Sequence, residues 1–139
     1  AGSNLALTFK LPCHPAWGDA HATLRAVGHA TLLTGVANAV QLLWARSLDA
    51  NYVAPYFGRL ELAGRDALSF AHALVQVQNQ GGPKLMAASV KSIDLFTHLL
   101  ALGAYACTVK PTFLQTLTHD EITQAAIAQF ELDCQSERP

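Results

Sequence analysis

The stretch Val77-Gln78-Asn79-Gln80-Gly81-Gly82-Pro83 constrains this chain most, because it interrupts the two longest apolar-periodic segments, 66–80 and 84–107. Two glycines stop a helix and a proline redirects the chain, so a polar turn between two helices is predicted there. Asp66 stands where it would cap the first of these helices, with Leu68, Ala71, Leu74 and Val75 turned inward. In the second, Leu85, Ser89, Ser92, Leu95, Phe96, Leu99 and Gly103 share one stripe.

Upstream, Pro12 and Pro15 forbid a regular helix, apart from which Phe9-Lys10-Leu11 suggests a short extended segment. Asp19 opens a helix over about 20–33, and Thr34-Gly35 separates it from another over about 36–48. Tyr52, Val53, Tyr56 and Phe57 form an aromatic loop that reads as a lid, and Leu60-Glu61-Leu62 as a brief strand. Pro111 closes the fourth helix, and Thr118 with Glu121 has the form of a capping box ahead of a fifth. The expected fold is all-α: an antiparallel four-helix bundle with an additional C-terminal helix and short extended segments at the outer end. It is expected to be a single domain over 1–139, with flexible termini at 1–16 and 135–139.

Composition bears on what covers this bundle. The chain is 51% hydrophobic and only 14% charged, which favours apolar surface being buried against other subunits. A net charge of −1 argues against a broad basic face for nucleic acid. Cys13, Cys107 and Cys134 lack metal-ligand or disulfide-framework spacing, which points to a reducing compartment. The longest apolar run, 99–107, is too short to cross a bilayer, so no membrane partner is expected.

Catalytic patterns are sparse. His14, His21 and His29 are spaced too widely to converge on one ion, and His98 has only Asp94 a turn away. Nucleophile elbows, phosphate loops and paired carboxylates are not recognisable, so neither an enzyme nor a cofactor or metal is expected. Of the nine basic residues, Lys84 and Lys91 stand apart. On a helix they would project from nearly one face beside the turn, with Asn79 and Ser92 adding neutral contacts to a phosphate backbone.

Taken in order, these residues resemble the coat proteins of rod-shaped plant RNA viruses, the tobacco mosaic virus-like (tobamovirus/virgavirus) family. Phe9-Lys10-Leu11 followed by Ala16-Trp17-Gly18-Asp19 is similar to that family's F-x-L…A-W-x-D entry into its first helix. The stretch at 77–83 is similar to its V-E-N-Q-x-x-P, and Lys110-Pro111-Thr112-Phe113 to its R-x-x-F. The resemblance implies a structural subunit that self-assembles into a helical rod and encapsidates single-stranded RNA, located in the virion and host cytoplasm. It carries RNA contact onto Lys91 and Ser92, with Lys84 and Asn79 added by position and Thr34 and Asn38 as fainter candidates. Subunit packing would then fall to Phe9, Leu11, Trp17, Lys110 and Phe113. The alternative is a soluble cytoplasmic helical-bundle adaptor or small-ligand-binding domain with no assembly role.

Overall fold

The computed structural model describes residues 7–136 and is organised around a parallel sheet. Strands β1 (Thr8–Pro12), β2 (Ala30–Thr34), β3 (Tyr52–Ala54), β4 (Lys84–Ala87) and β5 (Ala106–Cys107) pair in the order in which the chain reaches them. Every pair is parallel. Parallel neighbours need a crossover, and helices supply it: α1 (Gly18–Ala26), α2 (Ala39–Ser47), α3 (Phe57–Leu62) with α4 (Ala67–Asn79), and α5 (Ile93–Leu102). Sequential strand order with a helix after each strand is the winding of a (β/α)8 barrel. Two further helices, α6 (Pro111–Thr118) and α7 (Glu121–Ser136), belong to a second compact unit that begins at Val109; the first unit ends at Thr108.

This architecture replaces the expected all-α bundle. The segment 84–107 is not one helix but strand, helix and strand, and the segment expected to be helical over 20–33 ends at Ala26 before β2 begins. The cause is burial on both faces. Thr31, Leu32 and Leu33 are all buried, as are Leu85, Ala87 and Ala88. Parallel strands covered on both sides read as continuous apolar runs without the alternation that marks a half-exposed strand. Neither Leu60–Leu62 as a strand nor the 52–57 lid survives, since α3 takes the first and β3 part of the second. Residues 8–12, within the terminus expected to be flexible, form the edge strand β1, which takes in the extended segment expected at Phe9-Lys10-Leu11, and α7 continues through Ser136. The remainder of the expected flexible ends, 1–6 and 137–139, lies outside the described residues.

The stretch 77–83 still ends a helix, but it delivers the chain into β4. Gly81 takes φ +79, a conformation that L side chains rarely adopt, and the Gly82 N–H donates to Val77 O at 2.9 Å. A methyl group at Gly82 would lie 2.5 Å from a Val77 side-chain carbon and 2.7 Å from its carbonyl oxygen. Glycine is therefore required for the chain to fold back this tightly.

One row of side chains crosses the sheet on the side covered by helices: Leu11, Leu33, Val53 and Leu85 are in register and buried. Leu42 and Ala45 of α2, Ala71, Leu74 and Val75 of α4, and Leu95 and Leu99 of α5 complete this core at helical spacing. On the other side Leu32, Ala54 and Ala88 form a second cluster with Tyr52, Tyr56 and Met86 against it. That inner face carries Lys10, whose register partner is Leu32.

A polar cluster fastens α1 to the N-terminal ends of β2 and β3. His21, 2% exposed, places Nε2 2.8 Å from Thr31 Oγ1. Asn51 Oδ1 accepts from the Thr31 N–H at 2.9 Å and from Arg25 Nη1 at 3.0 Å, while Arg25 also pairs with Asp49. Burial, reinforced by the Arg25 charge and opposed by Asp49, holds the His21 imidazole below its usual range. Because the folded state favours neutral His21, its contribution is complete above the unfolded value of about 6.5 and is lost as the pH falls below it. The urea midpoint should therefore be level from about pH 8 to 7 and decline towards pH 5, with a smaller decline in His21→Gln. Equal acid sensitivity in both proteins would remove His21 as its source.

Candidate active site

Three inner-face groups, Lys10, Thr34 and Tyr56, come together towards the C-terminal ends of β1 to β3, with Ser89 at the same end of the next strand. Lys10 lies in β1, Thr34 ends β2, Tyr56 follows β3, and Ser89 follows β4. In parallel barrels this end of the sheet carries the chemistry, because the loops that follow the strands converge there. Period-two alternation along Tyr52-Val53-Ala54-Pro55-Tyr56 puts both tyrosines on the inner side while Val53 and Pro55 are buried behind.

Tyr56 is the centre of this constellation. Thr34 Oγ1 donates to its phenol oxygen at 2.8 Å, which leaves the Tyr56 O–H free to point into the site. Lys10 Nζ lies 5.7 Å from the ring centroid, and the Arg59 guanidinium carbon lies 4.6 Å from it. The Thr34 hydrogen bond, with further help from the Lys10 amine and the Arg59 charge, lowers the Tyr56 phenol below the ordinary tyrosine range, against the effect of burial. Lys10 is exposed and Tyr56 half-buried, so a solute can reach both. A primary amine beside an acidified phenol suits carbonyl chemistry, since one can attack carbon while the other moves protons.

Beside this pair lies a cationic end. The isolated bridge between Tyr56 and Ala88, and donation from the Phe57 and Gly58 N–H groups to Ala88 O and Ser89 O at 2.9 and 3.0 Å, tie the start of α3 to the end of β4. Ser89 takes φ +59, a left-handed conformation unusual for a residue with a side chain. A methyl group on Gly58 would meet Ser89 O at 2.7 Å, Ser89 Oγ at 3.0 Å and Lys91 Cε at 3.1 Å. Ser89 and Lys91 are thus pressed against Gly58, next in sequence to Arg59. Gly58→Ala should destabilise the fold by roughly 1–3 kcal/mol through this overpacking. A urea titration checks it, and an unchanged midpoint would show that Ser89 is free to move.

A cavity of about 320 Å³ opens beside Tyr56 and Arg59, lined also by Gly35, Val36, Leu60 and Arg65. Its size is at the lower end for small-ligand sites. Arg65 Nη1 donates to Ala37 O at 2.9 Å across this cavity and fixes one wall. Among the described residues, no group of three or more His, Cys, Asp or Glu side chains is arranged to hold a metal.

The residues singled out from sequence are dispersed by this fold. Lys84 and Lys91, expected on one helix face, flank β4 at opposite ends, and Lys84 Nζ lies 4.5 Å over the Tyr105 ring. Asn79 is the exposed last residue of α4. Asn38 and Ser92 are helix N-caps, accepting from Gln41 N at 2.9 Å and Leu95 N at 3.2 Å. Thr34 and Lys91 do reach the site. Of the packing set, Leu11 is in the core, Phe9 sits 5.1 Å from the His29 ring, and Trp17 is 43% exposed in a 3-10 turn. Lys110 caps α6 and Phe113 lies within it, in the second unit.

Lys10, Tyr56, Arg59 and Ser89 were not among the candidates. The available signals were a lysine between apolar residues in an extended segment, and tyrosines two residues to either side of Ala54. Both make sense only once the segments are strands.

Comparison with known proteins agrees with the geometry. A probable transaldolase of an Exiguobacterium species is 31% identical over 129 residues, 91% of this chain and 60% of that relative. A probable fructose-6-phosphate aldolase of Streptococcus pneumoniae is 30% identical over 126 residues, 89% of this chain and 57% of the relative. The chain spans about 60% of the length of the curated relatives it matches. No family model matches it. Among solved structures, the PaMucR phosphodiesterase in complex with c-di-GMP superposes with a TM-score of 0.55 at 20% identity, over 70% of this chain and 43% of that one. At that identity the likeness is one of fold alone.

These relatives overturn the coat-protein resemblance. They carry enzyme names and come from bacteria, so the expectations of a non-enzymatic subunit, a self-assembling rod, a single-stranded RNA partner and a virion location are corrected together. The alternative of a helical-bundle adaptor falls with the bundle. The physical reason is shared: the helix-period comparison laid two buried parallel strands onto helices, and the four short motifs then aligned only by order. The membrane expectation is a separate matter, and no helix among the described residues is long and apolar enough to cross one.

Proposed function

We propose that this chain carries the catalytic end of an aldolase or transaldolase acting on a phosphorylated sugar, with Lys10 as the nucleophile. The observation that carries this is Lys10 and the Thr34–Tyr56 pair sharing the inner face at the C-terminal ends of adjacent parallel strands. The enzyme names of the relatives supply the reaction class, and one of them supplies a substrate, fructose 6-phosphate.

The chemistry follows from the groups present. The neutral Lys10 amine adds to the ketone carbon, and the resulting carbinolamine loses water to leave a protonated imine. That cation draws electrons from the bond between the α- and β-carbons. Tyr56, as phenolate, takes the proton from the β-hydroxyl while this bond breaks, releasing an aldehyde and leaving an enamine on Lys10. Addition of water or of a second aldehyde closes the cycle, with Tyr56 returning its proton. Thr34 orients the phenol by donating to its oxygen. Arg59, Ser89 and Lys91 form the end suited to the phosphate, where a planar guanidinium and an ammonium are complementary to a dianion.

The test is direct. Purified chain given fructose 6-phosphate should release an aldehyde, read by a coupled dehydrogenase assay, or exchange the aldehyde half with an added acceptor. Neither cleavage nor exchange with the chain folded would reject the assignment.

A further inference from the structure

We propose that Arg59 is a positioning residue coupling occupancy of the anion end to the proton on Tyr56: its guanidinium rests on the phenol ring when the anion is absent and is drawn off it by an arriving dianion. The proposal rests on the reading of Arg59 as the arm that meets the phosphate.

Tyr56 is flanked by charge on more than one side. Lys10 Nζ from β1 is 5.7 Å from its centroid, and the Arg59 guanidinium carbon from α3 is 4.6 Å from it. Thr34 of β2 donates to the phenol oxygen. Lys10 is committed to the chemistry and Thr34 is neutral, so Arg59 is the one of these three groups whose charge an external ligand can neutralise without touching the reacting atoms. It is exposed, three residues beyond Tyr56 at the start of α3, and lines the cavity that Tyr56 also lines. Arg65, the other guanidinium at that cavity, is tied to Ala37 O and is less able to respond.

A cation over the face of a phenol favours phenolate, and a dianion attracts the same guanidinium more strongly than an aromatic face does. Binding the anion therefore removes one of the influences favouring phenolate and raises the basicity of Tyr56. A stronger base takes the β-hydroxyl proton more readily. Phosphorylated sugars would prime Tyr56 in a way that their unphosphorylated counterparts do not.

Sulfate is a suitable probe because its charge is constant through the alkaline range. The chain is labelled with 13C at the tyrosine Cζ, and Tyr56 is assigned among the three tyrosines by Tyr56→Phe. In wild type, saturating sulfate should move the Tyr56 titration upward by roughly half a pH unit, the effect of one charge at about 5 Å in water-like surroundings. In Arg59→Gln the titration should begin higher and respond less to sulfate, although Lys91 still attracts the ion.

Three results would overturn the proposal. They are no sulfate effect in wild type, an Arg59→Gln titration at the wild-type position, and a sulfate shift of equal size in both proteins, which would mean that the anion acts on the phenol directly. The wild-type titration stands even if the variant misfolds. Imine formation at Lys10 is measured separately: coupling without an imine rejects the aldol reading alone, and an imine without coupling rejects this proposal alone.

Discussion

Replacing Lys10 with methionine should lower turnover by about a thousand-fold or more, because it removes the amine beside Tyr56 that forms the covalent link to the carbonyl. Methionine keeps most of the apolar stem and removes the amine. Lys10 is exposed, and its register partner Leu32 already belongs to the inner-face cluster, so the fold does not depend on the ammonium. Stability is expected to stay within about 0.5 kcal/mol of wild type, the ordinary range for a surface substitution. Activity measured alongside urea unfolding separates the two effects. Turnover within tenfold of wild type in a folded Lys10→Met protein would mean that the carbonyl is activated by something other than this amine.

Tyr56→Phe should lower turnover by roughly 10²–10⁴-fold, the usual contribution of a positioned proton-transfer group. It removes only the hydroxyl, and the ring remains packed against Leu32, Ala54 and Ala88. The loss should fall on kcat more than on KM, since the phenol acts on the bond-breaking step and is not proposed to hold the phosphate. Covalent capture of the substrate by Lys10 should persist. In wild type the rising limb of the pH–rate profile, where Tyr56 becomes phenolate, should lie below the ordinary tyrosine range, because the Thr34 hydrogen bond and the neighbouring Lys10 and Arg59 charges favour phenolate. A profile unchanged in Tyr56→Phe would assign that limb to another group.

How much of this was legible in the sequence depends on which physical signal each segment carries. α4 occupies 67–79 with Asp66 as its cap, accepting from Ser69 N at 2.9 Å, because its outer face is polar enough for the helical period to show. β2 and β4 carry no such signal. Leu32-Leu33 and Leu85-Met86-Ala87-Ala88 are apolar at every position because the sheet is covered by helices on one face and by its own cluster on the other. Alanine-rich strands of this length also satisfy a helix template.

The site was hidden by the same error. Lys10 read as one more surface charge because nothing in its neighbours marks it, and its importance arises from Tyr56, contributed by a different strand and 46 residues away in sequence (56 − 10). Tyr56 read as part of an aromatic lid because Pro55 suggested a loop, whereas Pro55 is buried behind the sheet and Tyr56 faces forward. Lys91 was expected on a helix face with Lys84, whereas it lies beyond β4 and outside any helix, with its side chain against Gly58. Proximity made by β-strand order cannot be recovered from helical spacing.

Reductive trapping tests the role of Lys10 most directly. Wild-type chain is incubated with fructose 6-phosphate, reduced with borohydride, digested and mapped by mass spectrometry. An imine reduced to a secondary amine adds the mass of the bound carbon skeleton to one lysine irreversibly. This mass should appear on the peptide containing Lys10, be absent when either the sugar or the reductant is left out, and be abolished by Lys10→Met. Label on Lys84, Lys91 or Lys110 in place of Lys10, or none on any lysine of a folded chain that turns the sugar over, would contradict that role.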